Sequence, residues 1–454
     1  MSITARLAAF AADHPTDALP PEVPQRALAL TIDLIGSAIR AANQSESTPA
    51  VLAMLRRMGM EGGGDCTVFG LNRRYGPAAA ALLNGTFGHS LDFDDTHADS
   101  SLHPSAPVVP AALAAAEVTG ASGAETLAAI VIGFEVCCRL GMALDPTAHY
   151  ARGFHPTATA GTFGAAAAAG RLFGLGPAQM ASAFGVAASQ ASGSLQFLVN
   201  GAWNKRYQVG EAAMKGLMAA TLAAEGFVGA AEAIDGLHGF LGGYSDGAVP
   251  ARATEGLGTV WETMRIGVKP YPACRYTHAA VDGLIALARD HGWQVDEVAS
   301  VTVGLHRNGI TLVGAPLAEK RRARSVVEGQ FSMPFAVGVA LMRGRFGWDD
   351  YDLLGAPEVD AIADRTEVVR DESLEGLRHP FGATLSVVAR GRTHALRIPD
   401  PSGEPETFPG PEACAAKFAA LATPVLNAGA DDLLARLRAL GQAADLRAHL
   451  AHPR

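Results

Sequence analysis

Apolar positions recur at helical spacing over most of the first 265 residues. Residues 21–42 open on Pro-Glu and continue RALALTIDLIGSAIRAA, an acidic start and a 3.6-residue period that predict an amphipathic helix. Further helices are expected at 48–60, 76–88, 107–119, 123–144, 157–173, 177–192, 210–225 and 229–236, most of them separated by short Gly/Pro breaks. A short strand is expected at 66–70, after the loop Glu61-Gly62-Gly63-Gly64-Asp65. The character changes near Val268-Lys269-Pro270-Tyr271-Pro272. A helix over 276–291 is followed by alternation at 298–307, with Val301, Val303 and Leu305 on one face, ending at the hairpin-type signal Asn308-Gly309. A helix is predicted over 326–343, and strands at 383–390 and 393–398 flank Gly391-Arg392. Beyond Pro399-Asp400-Pro401-Ser402-Gly403, residues 412–426 and 431–450 return to helical spacing. The expected fold class is mainly α: helical over 1–265, α+β over 266–398, and helical again over 399–454.

At 454 residues the chain exceeds the size at which one core keeps growing, so two domains are expected. Ala and Gly dominate, which suits helices packed closely through small side chains. The net charge of −9, with Lys320-Arg321-Arg322 and Arg324 as the one compact basic cluster, argues against nucleic acid as a partner. Five cysteines (Cys66, Cys137, Cys138, Cys274 and Cys414) form neither C-x-x-C pairs nor an even framework, which fits a reducing cytoplasm. The most apolar stretch, 124–144, carries Glu135 and Arg139 and reads as a buried helix; no membrane partner is expected.

Four stretches concentrate chemistry. NGTFGHSLDFDDTHADSSLHPSAP, residues 84–107, holds Asp92, Asp94, Asp95 and Asp99 with His89, His97 and His103. Its spacing matches neither a calcium loop nor H-E-x-x-H, so an acid–base site is favoured over a metal cradle. Asp94, Asp95, Asp99 and His97 are expected to cap or pair, and His89 to be structural. His155 stands before Pro156 at a helix start and reads either as a site histidine, where helix polarity lowers an imidazole pKa and attracts anions, or as a loop histidine that bonds the backbone. Lys205-Arg206 follows the uncharged tract 180–203 and reads either as a carboxylate clamp or as a solvated helix start. KPYPACRYTH, residues 269–278, offers a thiol, a guanidinium and an imidazole. Gly243-Tyr244-Ser245-Asp246-Gly247 spells G-x-S-x-G without the strand that a nucleophile elbow requires and reads as a chance match.

Taken together, GHSLDFDDTH…HPSAPVVPA, GFHPTATAGTFGAAAAAGRLFGL, NKRYQVGEAAMKGLMAATLAAEGFVG, KPYPACRYTH and SVVEGQFSMPFAVGVAL resemble the MmgE/PrpD family, which includes 2-methylcitrate dehydratases, cis-aconitate decarboxylases and iminodisuccinate epimerases. The resemblance implies one large helical domain built from both chain ends, a smaller α+β lid, a homodimer, and catalysis without metal or organic cofactor. It places catalytic roles on Asp92, His103, His155, Lys205 and His278. Substrate contacts would come from Thr96, Lys269, Cys274 and Arg275. In the family's decarboxylases a catalytic histidine directly follows an F-P-A-type turn; here Cys274 holds that place and His278 is the nearest histidine.

The implied step is proton transfer at a carbon alpha to a carboxylate, with cations stabilising the enolate. Lys205 and His155 are read as proton-transfer and carboxylate-contacting groups, and His103 and His278 as the opposing acid. Asp92 is expected to orient a histidine, and Arg275 to grip carboxylate. The first reading is a hydro-lyase on a small di- or tricarboxylate, 2-methylcitrate dehydratase-like. The alternatives are an epimerase, a cis-aconitate decarboxylase, a metal-dependent hydrolase on the aspartate cluster, or a non-catalytic carboxylate binder.

Overall fold

The computed structural model describes residues 1–199, 201–376 and 380–450. Contacts divide the chain into two units, Met1–Val268 with Gly410–Arg454, and Lys269–Pro409.

The first unit begins with α1 (Ile3–Asp13), a helix absent from the expectations. Ser2 caps it through the Ala5 N–H, and the Asp235 carboxylate accepts the N–H groups of Ile3 and Thr4. There follow α2 (Glu22–Gln44), α3 (Thr48–Arg57), α4 (Pro77–Gly88), α5 (Ser105–Thr119), α6 (Gly123–Ala143), α7 (Pro146–Ala151), α8 (Pro156–Leu172), α9 (Pro177–Gln190), α10 (Asn204–Ala224) and α11 (Phe240–Tyr244). Two short antiparallel pairs join β1 (Cys66–Thr67) to β2 (Arg74–Tyr75), and β3 (Thr96–His97) to β4 (Ile266–Gly267).

The core of this unit is α8, which packs against α5, α6, α9 and α10 and is buried from Pro156 to Gly170. Its Ala/Gly sequence is what lets neighbours approach. A Cβ at Gly164 would lie 2.7 Å from both the Gly133 carbonyl and the Cys137 Cβ on α6. By length and composition α6 would span a membrane, yet 94% of its apolar window is buried inside the protein. It carries the buried Glu135–Arg139 pair, satisfied by Thr263 and by the carbonyls of Glu255 and Val260. The chain's end folds back onto its start: the helix Pro411–Leu426 lies on α2, with Phe418 Cα 2.9 Å from where a Gly36 Cβ would sit and Lys417 Nζ 2.9 Å from Asp33.

Two expectations for this unit are corrected. Residues 229–236 form turns, not a helix, because Gly229 is pressed against α9; a Cβ there would lie 2.1 Å from the Ser182 carbonyl. The helix expected from 210 begins at Asn204, which takes Lys205 into its first turn.

In the second unit, β5 (Val298–Leu305), β6 (Thr366–Arg370), β7 (Ala383–Ala389) and β8 (Arg392–Ile398) form one sheet in the order β6-β5-β7-β8. The β5–β6 pairing is parallel and the others antiparallel. The helix His278–His291 packs on β7 and β8. Asn308-Gly309 does not turn a hairpin. His306 accepts the Asn308 N–H, and the chain winds through Arg307–Gly309 into the wide helical turn Ile310–Gly314. The helix expected over 326–343 is two, Val326–Gln330 and Met333–Arg343, broken where Ser332 caps the second and Pro334 brings no donor. The stretch 399–409 packs with this unit: the Ser402 N–H bonds Asp282, and Glu404 bonds Arg275.

Candidate active site

The acid–base cluster of the first unit is assembled from the end of α4, the loop before α5, the start of α8 and the start of α10. His89 caps the C-terminus of α4 and is 1% exposed. Its ring centroid lies 5.1 Å from that of His103 and 5.8 Å from that of His155. Three imidazoles therefore meet in one place, and among them is His89, which the sequence alone marks as structural.

Hydrogen bonds fix the tautomer of two of them. His103 Nδ1 lies 2.5 Å from the Asp95 carbonyl, which only accepts, so Nδ1 carries the proton and Nε2 is the basic nitrogen. His155 Nδ1 lies 2.8 Å from Gln208 Nε2 and accepts from it, so the proton of this ring is on Nε2. His89 Nδ1 is 2.6 Å from Asp94 Oδ2, an Asp–His pairing that leaves the His89 Nε2 lone pair buried with no hydrogen-bond partner among the described residues. Burial holds His155 well below the usual imidazole range, with His89, Lys205 and His103 adding positive charge and Asp94 opposing. Burial also lowers His89, against the pull of Asp94. His155 is thus held in its neutral form.

The carboxylates divide by direction. Asp92 adopts a left-handed conformation, φ +53°, and its Oδ1 meets the Lys205 ammonium. The carboxylate bonded to an imidazole is Asp94, which also sits 3.9 Å from His103. The histidine-orienting duty expected of Asp92 thus falls to a residue the sequence reading had set aside. Asp95 caps α5 through the Ser105 N–H and hydroxyl, and burial beside Asp94 raises its pKa well above the carboxylate range. His97 bonds Ser100 and Glu262. His89, Asp94 and His103 offer ligand atoms within 4.8 Å of one another, a grouping different from the aspartate cradle weighed from the sequence.

Lys205 and Gln208, three residues apart on α10, share a face. Arg206, next in sequence to Lys205, points away and donates to Ser45 Oγ at 2.9 Å, so the pair is not a double clamp. Thr96 pairs with Gly267, and its hydroxyl is buried with no hydrogen-bond partner among the described residues.

The remaining expected site residues lie in the second unit. Arg275 is buried, bonded to Glu404 at 2.7 Å and to His278 Nδ1 at 3.0 Å. His278 is fully buried, and its Nε2 donates to the Ala273 carbonyl at 3.1 Å. Both nitrogens of that ring are committed, so as placed it supports Arg275 and is not poised as an acid. The Arg275 guanidinium already holds a carboxylate, that of Glu404. Cys274 is buried, its N–H bonded to the Gln330 carbonyl, and Lys269 is 2% exposed.

Gln208, His89 and Asp94 are the polar groups of the cluster that sequence reasoning missed. The Lys-x-x-Gln spacing was a usable signal for Gln208 once the helix start was known. His89 bonds Asp94 only five residues on, but its approach to His103 and His155 depends on the packing of α4 with the loop before α5 and with α8.

Residues 5–253 match the MmgE/PrpD N-terminal domain and residues 271–439 the MmgE/PrpD C-terminal domain. The chain belongs to the MmgE/PrpD family. Among its relatives is a cis-aconitate decarboxylase-like protein, oryM, of Aspergillus oryzae, 31% identical over 407 residues, or 85% of this chain and 83% of that protein. Cis-aconitate decarboxylase of Aspergillus terreus is 34% identical over 303 residues, covering 63% and 60%. The human cis-aconitate decarboxylase is 32% identical over 224 residues, covering 48% and 45%. Family and relatives make this MmgE/PrpD protein an enzyme of lyase type.

Proposed function

We propose that this MmgE/PrpD enzyme is a hydro-lyase acting on a small hydroxylated di- or tricarboxylate by proton transfer at a carbon alpha to a carboxylate. The observation that carries the reading is the trio of groups with defined proton positions: His103 with a basic Nε2, His155 with an Nε2–H, and the Lys205 ammonium against Asp92. His103 Nε2 takes the alpha proton. The neutral His155 Nε2–H bonds a carboxylate oxygen as charge builds on it, as a lowered-pKa imidazole does in other enolising sites. Lys205 supplies the positive charge for the enolate and a proton for the departing hydroxyl, which leaves as water.

Decarboxylation is the second reading, favoured by the cis-aconitate decarboxylases among the relatives. It uses the same cation and carboxylate-binding donor but returns a proton to carbon after CO2 leaves. Incubation with di- and tricarboxylates in deuterated water, read by mass spectrometry, separates the readings. Loss of water supports the hydro-lyase, loss of CO2 the decarboxylase, and deuterium uptake with no other change an epimerase. Lys205→Ala and His103→Gln should each abolish turnover. Full turnover in either variant, or no reaction and no exchange on any acid, would defeat the proposal.

A further inference from the structure

We infer that Gln208 is a positioning residue that holds His155 as its Nε2–H tautomer; the inference rests on the acid–base reading for its consequence but not for its test. The amide of Gln208 has one orientation. Its Oε1 accepts the Ser194 N–H at 3.1 Å, and its Nε2 faces the Ser194 carbonyl at 3.4 Å and His155 Nδ1 at 2.8 Å. A backbone N–H only donates and a carbonyl only accepts, so rotating the amide by half a turn would break both contacts at once. Nδ1 of His155 is thereby obliged to accept, and the ring proton goes to Nε2.

The backbone that dictates this is itself tied down. The His155 N–H bonds the Gly193 carbonyl at 3.0 Å, the Leu195 N–H bonds the Gly153 carbonyl at 2.9 Å, and Phe154 bridges Ser194. Gly193 has φ +147°, and a Cβ there would lie 2.7 Å from the Ala158 Cβ and 3.5 Å from Gln208 Cδ, so the loop is pressed onto α8 and α10 together. Gln208 is 8% exposed, which keeps water from competing for the amide. The titratable and charged groups facing His155 are His89 and Asp94, His103, and Lys205. A neutral amide beside Nδ1 adds no charge that would favour protonation of the ring. The device therefore gives a donor that stays neutral, in contrast with the Asp94–His89 pair, where a carboxylate takes the equivalent place.

Gln208→Glu tests this with almost no change of shape. One carboxylate oxygen keeps the Ser194 N–H bond, and the other now accepts from His155 Nδ1, forcing the ring proton to Nδ1 or charging the ring. The measurement is the pair of imidazole nitrogen chemical shifts of His155 in histidine-labelled, substrate-free protein, assigned by its loss in His155→Gln. Wild-type protein should show a protonated Nε2 and an unprotonated Nδ1. Gln208→Glu should reverse this or show both protonated, and should move the acid limb of the turnover profile to higher pH with kcat lowered more than KM is raised. An Nδ1-protonated ring in the wild type, or an unaltered tautomer in a folded Gln208→Glu variant, overturns the inference. The wild-type spectrum alone can overturn it even if the variant does not fold. A reversed tautomer with undiminished turnover leaves the role of Gln208 standing and counts against the catalytic role given to His155.

Discussion

Gly210 is where the acid–base cluster is most exposed to a single-methyl perturbation. It sits on α10 one turn beyond Lys205, against α4, whose C-terminus is His89. The two helices cross on glycines: a Cβ at Gly85 would lie 2.9 Å from Gly210 Cα, and a Cβ at Gly210 would lie 2.1 Å from Thr86 Oγ1, 2.4 Å from the Leu82 carbonyl and 2.8 Å from the Thr86 nitrogen. Gly210→Ala meets backbone atoms that cannot rotate aside, so α10 must move off α4. Overpacking of this kind costs about 3 kcal/mol at the upper end of its usual range. The gain in helix propensity on replacing Gly by Ala offsets about 1 kcal/mol, leaving a net loss of about 2 kcal/mol. For a unit of this size that lowers Tm by about 3 °C.

The functional effect should be larger than the loss of stability. A displacement of α10 carries Lys205 away from Asp92 and Gln208 away from His155, and misplacing a reacting group by ~1 Å costs about 100-fold in rate. Scanning calorimetry and turnover on the folded fraction measure the two effects separately. Gly243→Ala in α11 is the control: nothing lies within 4 Å of its Cβ and its φ is not left-handed, so it should stabilise by about 0.4–1 kcal/mol. Adding Thr86→Ala to Gly210→Ala should not rescue, because the Leu82 carbonyl remains in the way. Wild-type stability in Gly210→Ala, or recovery in the double variant, would refute the close-approach argument.

His149 is fully buried between the Tyr244 carbonyl and the Thr159 hydroxyl, and burial lowers its pKa from the usual imidazole value. The unfolded chain therefore binds the proton first, so this group's contribution is complete above about pH 6.5 and is lost as pH falls toward its folded-state value. Denaturant titrations of His149→Gln between pH 7 and pH 5.5 should show a shallower loss than wild type, by up to about 1.4 kcal/mol per pH unit; parallel slopes would contradict the assignment. In the second unit, Glu404→Ala removes the carboxylate that neutralises the buried Arg275 guanidinium and should cost about 3–5 kcal/mol in chemical denaturation, while in the first unit Glu412→Ala, whose carboxylate pairs with Arg438 at the surface, should cost under about 1 kcal/mol.

The helical architecture was readable because amphipathic and Ala-rich periods survive wherever a helix has one core-facing stripe. It failed where packing overrode local preference. The 229–236 stretch has small residues in a helix-like run, but its glycine serves contact with α9. β6 escaped notice because only Thr366 of its five residues is buried, so the alternation that marks β5 and β7 is absent. Asn308-Gly309 carries the chemistry of a two-residue turn, yet a histidine cap two residues upstream converts it to the start of a helical turn. That the chain's two ends build one unit rests on contacts such as Phe418 on Gly36, which no local window contains.

The site divides along the same line. Asp92, His103, His155 and Lys205 do converge in the first unit, through side chains that sequence spacing alone could not orient. In Asp92-Phe93-Asp94-Asp95 the spacing is plain, but direction depends on one backbone angle. With Asp92 left-handed, its carboxylate goes to Lys205, that of Asp94 to His89, and that of Asp95 to the helix cap at Ser105. Three adjoining acids thus serve a cation, an imidazole and a helix end. The protonation state of each imidazole then follows from what it touches: a carbonyl for His103, a carboxylate for His89, and an amide for His155. The family resemblance names two of the three histidines that gather, His103 and His155. Which of them gives a proton and which takes one is decided by those three neighbours, two of which, the Asp95 carbonyl and the Gln208 amide, carry no charge.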